Sequence, residues 1–212
     1  MAYTAARMSA SLVLTYTFAA ALVAGLLLKF WLASRQVRHV AQHRDAVPAA
    51  FASTISLAGH QKAAHYTMAK SRFGIVEMAW SSALLLGWTL LGGLDLLNRV
   101  LADLLGGGMW QQLALLASFS VIGGLLELPF SLWQTFRLEE RFGFNKMTLR
   151  LWLADAFKGM LIGAVIGLPL AALILWLMGA AGARWWLWAW VVWVGFNLTL
   201  MLIYPTFIAP LF

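Results

Sequence analysis

The chain contains no cysteine, which excludes disulfides, thiolate metal sites and cysteine nucleophiles. Charge is nearly as scarce: Asp, Glu, Lys and Arg make up 11% of its 212 residues, against about 25% in soluble domains. Carboxylates are the rarer sign, 8 against 15 basic side chains. With 62% hydrophobic residues and a mean hydropathy of +0.81, the composition is that of a membrane protein.

Long stretches also lack any charge, and a helix needs roughly 20 apolar residues to cross a hydrocarbon core of about 30 Å. Five runs qualify, giving spans at about 9–33, 73–94, 104–126, 159–180 and 185–206, with Lys29 near the end of the first and Glu77 one turn inside the second. The runs have no period-2 alternation, which argues against a barrel. The fold class expected is therefore all-α: a single polytopic membrane domain over 1–212, with loops 34–72 and 129–158. The first run exceeds the length of a signal-peptide core, and the heavier positive charge follows it, so it reads as a retained helix. Pro169 falls inside the fourth span, where a kink is tolerable, and Pro129 reads as the stop of the third.

The basic residues set the orientation. Loop 34–72 carries Arg35, Arg38, Arg44, Lys62, Lys70 and Arg72, and loop 129–158 carries Arg137, Arg141, Lys146, Arg150 and Lys158; the other side has Arg7, Arg99 and Arg184. This places the N-terminus outside and both long loops in the cytoplasm. A belt facing anionic headgroups accounts for the net charge of +7 without nucleic acid.

Two polar islands interrupt the apolar sequence. In "HQKAAHYTMAK", residues 60–70, His60 and His65 are five apart and point about 140° away from each other on a helix, so they cannot share one metal from one face. His39 and His43, four apart, do share a face. Val40, however, stands where a zinc-protease H-E-x-x-H helix needs its glutamate base. Phe51, Ile55 and Ala58, then Ala64 and Met68, recur at helical spacing after Pro48, predicting amphipathic helices in this loop. In "LPFSLWQTFRLEERFGFNKMT", 128–148, the adjacent Glu139 and Glu140 diverge by about 100° and make a poor acid/base pair. "MTLRLWLADAFK" reads as another amphipathic helix entering the fourth span. Glu77, Gln111, Gln112, Glu127 and Asn197 lie within or at the ends of spans, where lipid exposure is costly, and are expected to face the bundle interior or a cavity.

Taken in order, "VPAAF", "HQKAAHYTMAK", "LPFSLWQTFRLEERFGFNKMT", "LADAFKG" and "YPTFIAPLF" resemble the N-terminal membrane domain of the type I CAAX prenyl protease family. The resemblance covers about residues 35–212. His65 departs from it, an acidic residue being expected there. The resemblance marks His60, Gln61, Lys62, Tyr66, Thr67, Lys70, Glu139, Glu140, Gly143, Phe144, Asn145, Lys146, Asp155, Lys158, Pro205 and Pro210 as structural or portal candidates. It implies a bundle walling a water-filled chamber beside a zinc site. In the family the H-E-x-x-H helix follows the fifth span, and nothing in this sequence matches it. No catalytic or metal-ligating residue is therefore assigned, and zinc is implied for the complete family protein alone. The expected role is the non-catalytic half of a zinc metalloendopeptidase, whether an excised piece, a fragment gene or one part of a two-chain enzyme. Its partners would be the bilayer, a downstream zinc domain in cis or in trans, and a peptide or membrane-protein substrate. Lys62, Lys70 and Arg137 are candidates to guide a peptide carboxylate. The alanine- and tryptophan-rich composition suits a bacterial inner membrane. The alternatives are a scaffold or chaperone-like membrane protein without protease activity, and a small transporter, for which no internal repeat is visible.

Overall fold

The computed structural model describes the backbone of residues 2–211 and the side chains of residues 12–211. Helices dominate, and no strand occurs among the described residues. Four helical stretches are individually long and apolar enough to cross a membrane, and a bent pair makes the fifth.

The helices outrun the apolar runs that call for them. Helix α1 spans Ala2–His43, so the first ten residues of the polar loop continue the same rod. The break that follows contains Pro48, which lacks a backbone N–H, and only a single 3₁₀ turn forms at Ala49–Phe51. The amphipathic helix expected around Phe51 and Ile55 is thus reduced to a turn, with both side chains exposed. Ser56 then caps the next helix, its hydroxyl accepting the Gly59 N–H at 3.2 Å, as an N-cap serine does. Helix α2, Leu57–Thr89, carries "HQKAAHYTMAK" directly into the second span.

The stretch after the second span is a helix of its own. Helix α3, Gly93–Leu105, follows left-handed Gly92 and has Asp95 in its first turn, where a carboxylate complements the helix dipole. It is bent 50° from α2. Gly106 and Gly108, both at positive φ, turn the chain into α4, Met109–Trp133.

Pro129 does not stop that helix. It sits inside α4, which passes through a π-helical turn at Gln134–Glu139 into the short helix α5, Glu140–Phe142. A proline here frees one carbonyl. Beside it, the Leu126 carbonyl accepts the Trp80 indole N–H at 3.1 Å. That bond ties α2 to α4 one residue past the freed carbonyl, which belongs to Leu125. Thr148 caps α6, Leu149–Ala180, accepting the Leu151 N–H at 3.3 Å. The helix continues through Pro169. Helix α7, Trp185–Ile203, ends in a π-turn at Tyr204–Ile208 and a 3₁₀ turn at Ala209–Leu211.

The chain divides into two compact units: Met1–Leu96 with Leu126–Lys146, and Leu97–Leu125 with Met147–Phe212. In the first, α1 packs along α2, and an aromatic ladder joins α2 to the end of α4. Phe73 stacks on Trp133 at 4.7 Å between centroids, and Trp80 stacks on Phe130 at 5.6 Å. In the second, α6 packs on α7. There the buried Gln111 side chain donates to Asn98 Oδ1 at 2.7 Å, closing the α3–α4 hairpin.

Candidate functional site

The two polar islands, 73 residues apart at their point of contact, meet in the first unit. The Tyr66 hydroxyl on α2 donates to Glu139 Oε1 at 2.7 Å. Lys70, one turn further along α2, donates to the same hydroxyl at 3.3 Å and stands 4.0 Å from Glu139 Oε1. The order ammonium, hydroxyl, carboxylate is a polarised chain in which each bond strengthens the next. The hydrogen bond to Tyr66, with the Glu139 carboxylate behind it, holds the Lys70 pKa above its ordinary value.

Backbone geometry fixes the Glu139 end of this junction. Gly143 is left-handed, with φ of +82°; its N–H donates to the Glu140 carbonyl at 3.0 Å, and the Phe144 N–H to the Glu139 carbonyl at 2.9 Å. That pair of bonds is a Schellman cap. It turns Phe144 back so that Tyr66 has edge contacts with both Phe142, at 5.2 Å, and Phe144, at 4.8 Å. The preceding π-turn adds to the effect: its wider turn rephases the helix, and Leu138 within it is 3% exposed. Ala64, Leu138 and Phe142 are the buried apolar side chains among the described residues, so the tightest core of this chain lies at the polar junction and not along the spans.

The candidate residues distribute as follows. Tyr66, Lys70, Glu139, Gly143 and Phe144 are joined directly, and Lys62 lies 5.9 Å from the Phe144 ring centre. The Asn145 N–H also reaches the Glu139 carbonyl, at 3.3 Å. His60 Nε2 lies 3.0 Å from the His43 carbonyl and Gln61 donates to Asp45 at 3.1 Å, latching the start of α2 to the end of α1. Thr67 bonds the Ala63 carbonyl of its own helix. Glu140 and Lys146 are exposed, and Glu140 takes part through its carbonyl. In the second unit, Lys158 donates to Asp155 at 3.1 Å and to the Leu211 carbonyl at 3.0 Å, while Pro205 and Pro210 lie in the closing turns. Of the intramembrane polar residues, Gln111 is buried, Glu77 is half-buried, and Gln112, Glu127 and Asn197 are exposed. Asn197 donates to the Trp193 carbonyl of its own helix at 2.8 Å.

Sequence reasoning did not single out Phe142, Asp45 or Asn98. The aromatic pair flanking Gly143 in "RFGF" was the available signal for Phe142, since a glycine-capped helix end brings its neighbours together; Asp45 and Asn98 had none.

The donor set does not fit a zinc ion. His39 and His43 stack with ring centres 4.3 Å apart, but among the described residues no group of three or more His, Asp or Glu side chains converges on one point. A catalytic zinc takes three protein ligands. What the junction provides is position: it fixes where two polar motifs, one per island, stand against each other.

These features define the chain as an all-α, multi-pass integral membrane protein whose polar islands are welded into one platform. Comparison narrows the class. Residues 36–212 match the family described as CAAX prenyl protease N-terminal, five membrane helices. The chain is similar to the CAAX prenyl protease 1 homolog of Mus musculus, 30% identical over 189 residues, covering 86% of this chain and 40% of that protein. It is likewise similar to the Arabidopsis thaliana homolog, 30% identical over 182 residues, covering 78% and 41%. The crystal structure of S. mikatae Ste24p superposes with a TM-score of 0.82 at 26% identity, covering 90% of this chain and 46% of that one. The chain belongs to the CAAX prenyl protease family and corresponds to its N-terminal membrane portion. It spans 40% and 41% of the length of the two curated relatives.

Proposed function

We propose that this chain is the chamber-wall half of a CAAX-protease-like zinc metalloendopeptidase, and that the Tyr66–Glu139 junction is the platform on which a zinc-bearing domain sits, in cis or in trans. The observation that carries the reading is the convergence of the family-type segments around Tyr66 and Glu139 into one half-buried, hydrogen-bonded junction over the buried Ala64, Leu138 and Phe142. Zinc, when bound by the other half, would activate water for peptide hydrolysis; this chain's residues would position that half and the substrate. Lys70 is committed to Tyr66 and Glu139, so its part is structural, whereas exposed Arg137 and Lys62 are the cations left to meet a peptide carboxylate. The substrate class is a membrane-associated peptide, prenylated or not. The basic loops support an orientation with both islands in the cytoplasm, and the composition supports a bacterial inner membrane.

The test joins this chain to the zinc-bearing portion of a family member. Zinc-dependent cleavage of a membrane-tethered peptide should appear in the joined protein and be absent from this chain alone. Zinc-dependent cleavage by the chain alone would refute the division of labour, and stable assembly without any activity would favour a scaffold.

A further inference from the structure

Helix α1 carries a second feature, on a face that the protease reading does not use. Trp31, Arg35, Arg38 and Gln42 follow one another at intervals of four, three and four residues, which places them within an arc of about 60° along one helix face. With His39 they line an open cleft of about 680 Å³. The Arg35 guanidinium carbon lies 5.4 Å from the Trp31 ring centre, a cation–π contact that holds the fork in place. Among the described residues neither Arg35 nor Arg38 forms an ion pair with a carboxylate.

The same stripe changes character toward the N-terminus. Leu27 and Leu28, one turn before Trp31, are 65% and 57% exposed, and no charged residue lies between Arg7 and Lys29. Apolar surface, an indole and then two arginines therefore succeed one another along a single line. That is the order of acyl chain, interface and headgroup met on leaving a bilayer. Arg35 and Arg38 differ by about 4.5 Å of helix rise, close enough for both planar forks to reach one phosphate, and arginine binds phosphate bidentately where lysine acts as a point charge.

We propose that this stripe is a binding site for an anionic phospholipid, with the phosphate held between Arg35 and Arg38, the glycerol region beside Trp31 and an acyl chain along Leu27 and Leu28. The site depends on the chain crossing a membrane and not on its place in a protease. Diffuse attraction of a basic loop to a charged surface would not distinguish these two arginines from their neighbours; a built site would.

The experiment reconstitutes the full chain in nanodiscs of phosphatidylcholine and phosphatidylglycerol, each carrying in turn a trace of phosphatidylglycerol or phosphatidylcholine with a photoreactive acyl chain. Adducts are then mapped by mass spectrometry. The phosphatidylglycerol probe should label the 27–35 segment several-fold more than the phosphatidylcholine probe. Arg35→Gln/Arg38→Gln should abolish the preference, Arg38→Gln alone should weaken it, and Arg44→Gln, just past the end of the helix, should leave it unchanged. Inorganic phosphate should not compete, since the lipid and not the free ion is the ligand. Equal labelling by the two probes, a preference that survives the double substitution, an equal loss in Arg44→Gln, or competition by phosphate would each overturn the proposal. So would cross-links from this stripe to a second polypeptide in place of lipid.

Discussion

Removing one oxygen atom at Tyr66 should separate the two polar islands without disturbing their apolar contact. In Tyr66→Phe the ring keeps its edge contacts with Phe142 and Phe144, while the 2.7 Å bond to Glu139 and the 3.3 Å bond from Lys70 are both lost. A hydrogen bond to a charged group is worth about 1.5–3 kcal/mol. The Glu139 side chain is 21% exposed, so water replaces part of the loss, and the lower end, about 1.5 kcal/mol, is expected. The remaining Lys70–Glu139 pair, 4.0 Å apart with the lysine 53% exposed, restores less than about 1 kcal/mol. A double-mutant cycle with Glu139→Ala, which removes the acceptor, isolates the bond: denaturant titration in lipid-containing micelles should give a coupling of about 1–2 kcal/mol. Hydrogen exchange should show the loss of protection confined to the ends of the junction, residues 63–70 and 138–145. Additivity within about 0.5 kcal/mol, or a loss of protection spread evenly over the helices, would refute the idea that this bond joins the islands.

Gly143→Ala should destabilise the Glu139 end of the junction by about 1–2 kcal/mol, because the residue sits at φ of +82° with nothing tighter than a 3.9 Å contact near its side-chain position, leaving backbone strain as the cost; thermal melting with a Gly143→Asn comparison, expected to be milder, checks this. Asn98→Ala should cost roughly 0.6–1.7 kcal/mol by leaving the buried Gln111 amide without its acceptor, within the range for polar contacts between membrane helices. Converting both Asn98 and Gln111 to leucine should recover most of that loss, as read by the same titration.

Much of the fold was legible because apolar length is a strong signal: the runs that name the spans are the cores of α1, α2, α4, α6 and α7. What misled was punctuation. Pro129 reads as a stop by rules drawn from water, yet α4 runs on through it, and Trp80 donates to the Leu126 carbonyl, next to the Leu125 carbonyl that the proline leaves without its helical donor. Helix α3 falls in the gap left between the second and third apolar runs because it is short, although the glycines at its ends and Asp95 in its first turn were available as boundary marks. The site was legible as two motifs and illegible as one place. Nothing in a one-dimensional pattern says that Tyr66 pairs with Glu139, since the contact depends on a π-turn and a glycine cap that set the phase of the last helical turn. The divergence of His60 from His65, by contrast, follows from helix geometry alone, and the structure adds a partner for His60, the His43 carbonyl.

The unbroken passage of α1 from apolar run to polar end has a mechanical consequence. From Lys29, where charge first returns, to His43 the helix rises about 21 Å, and at its tip His60 and Gln61 fasten the start of α2 to His43 and Asp45. Two stiff rods tied at one end act as a lever. A tilt of about 10°, the usual way a helix absorbs a change in bilayer thickness, sweeps that tip through roughly 4 Å over such an arm. The thickness of the surrounding lipid thereby becomes a displacement at the polar end of the protein.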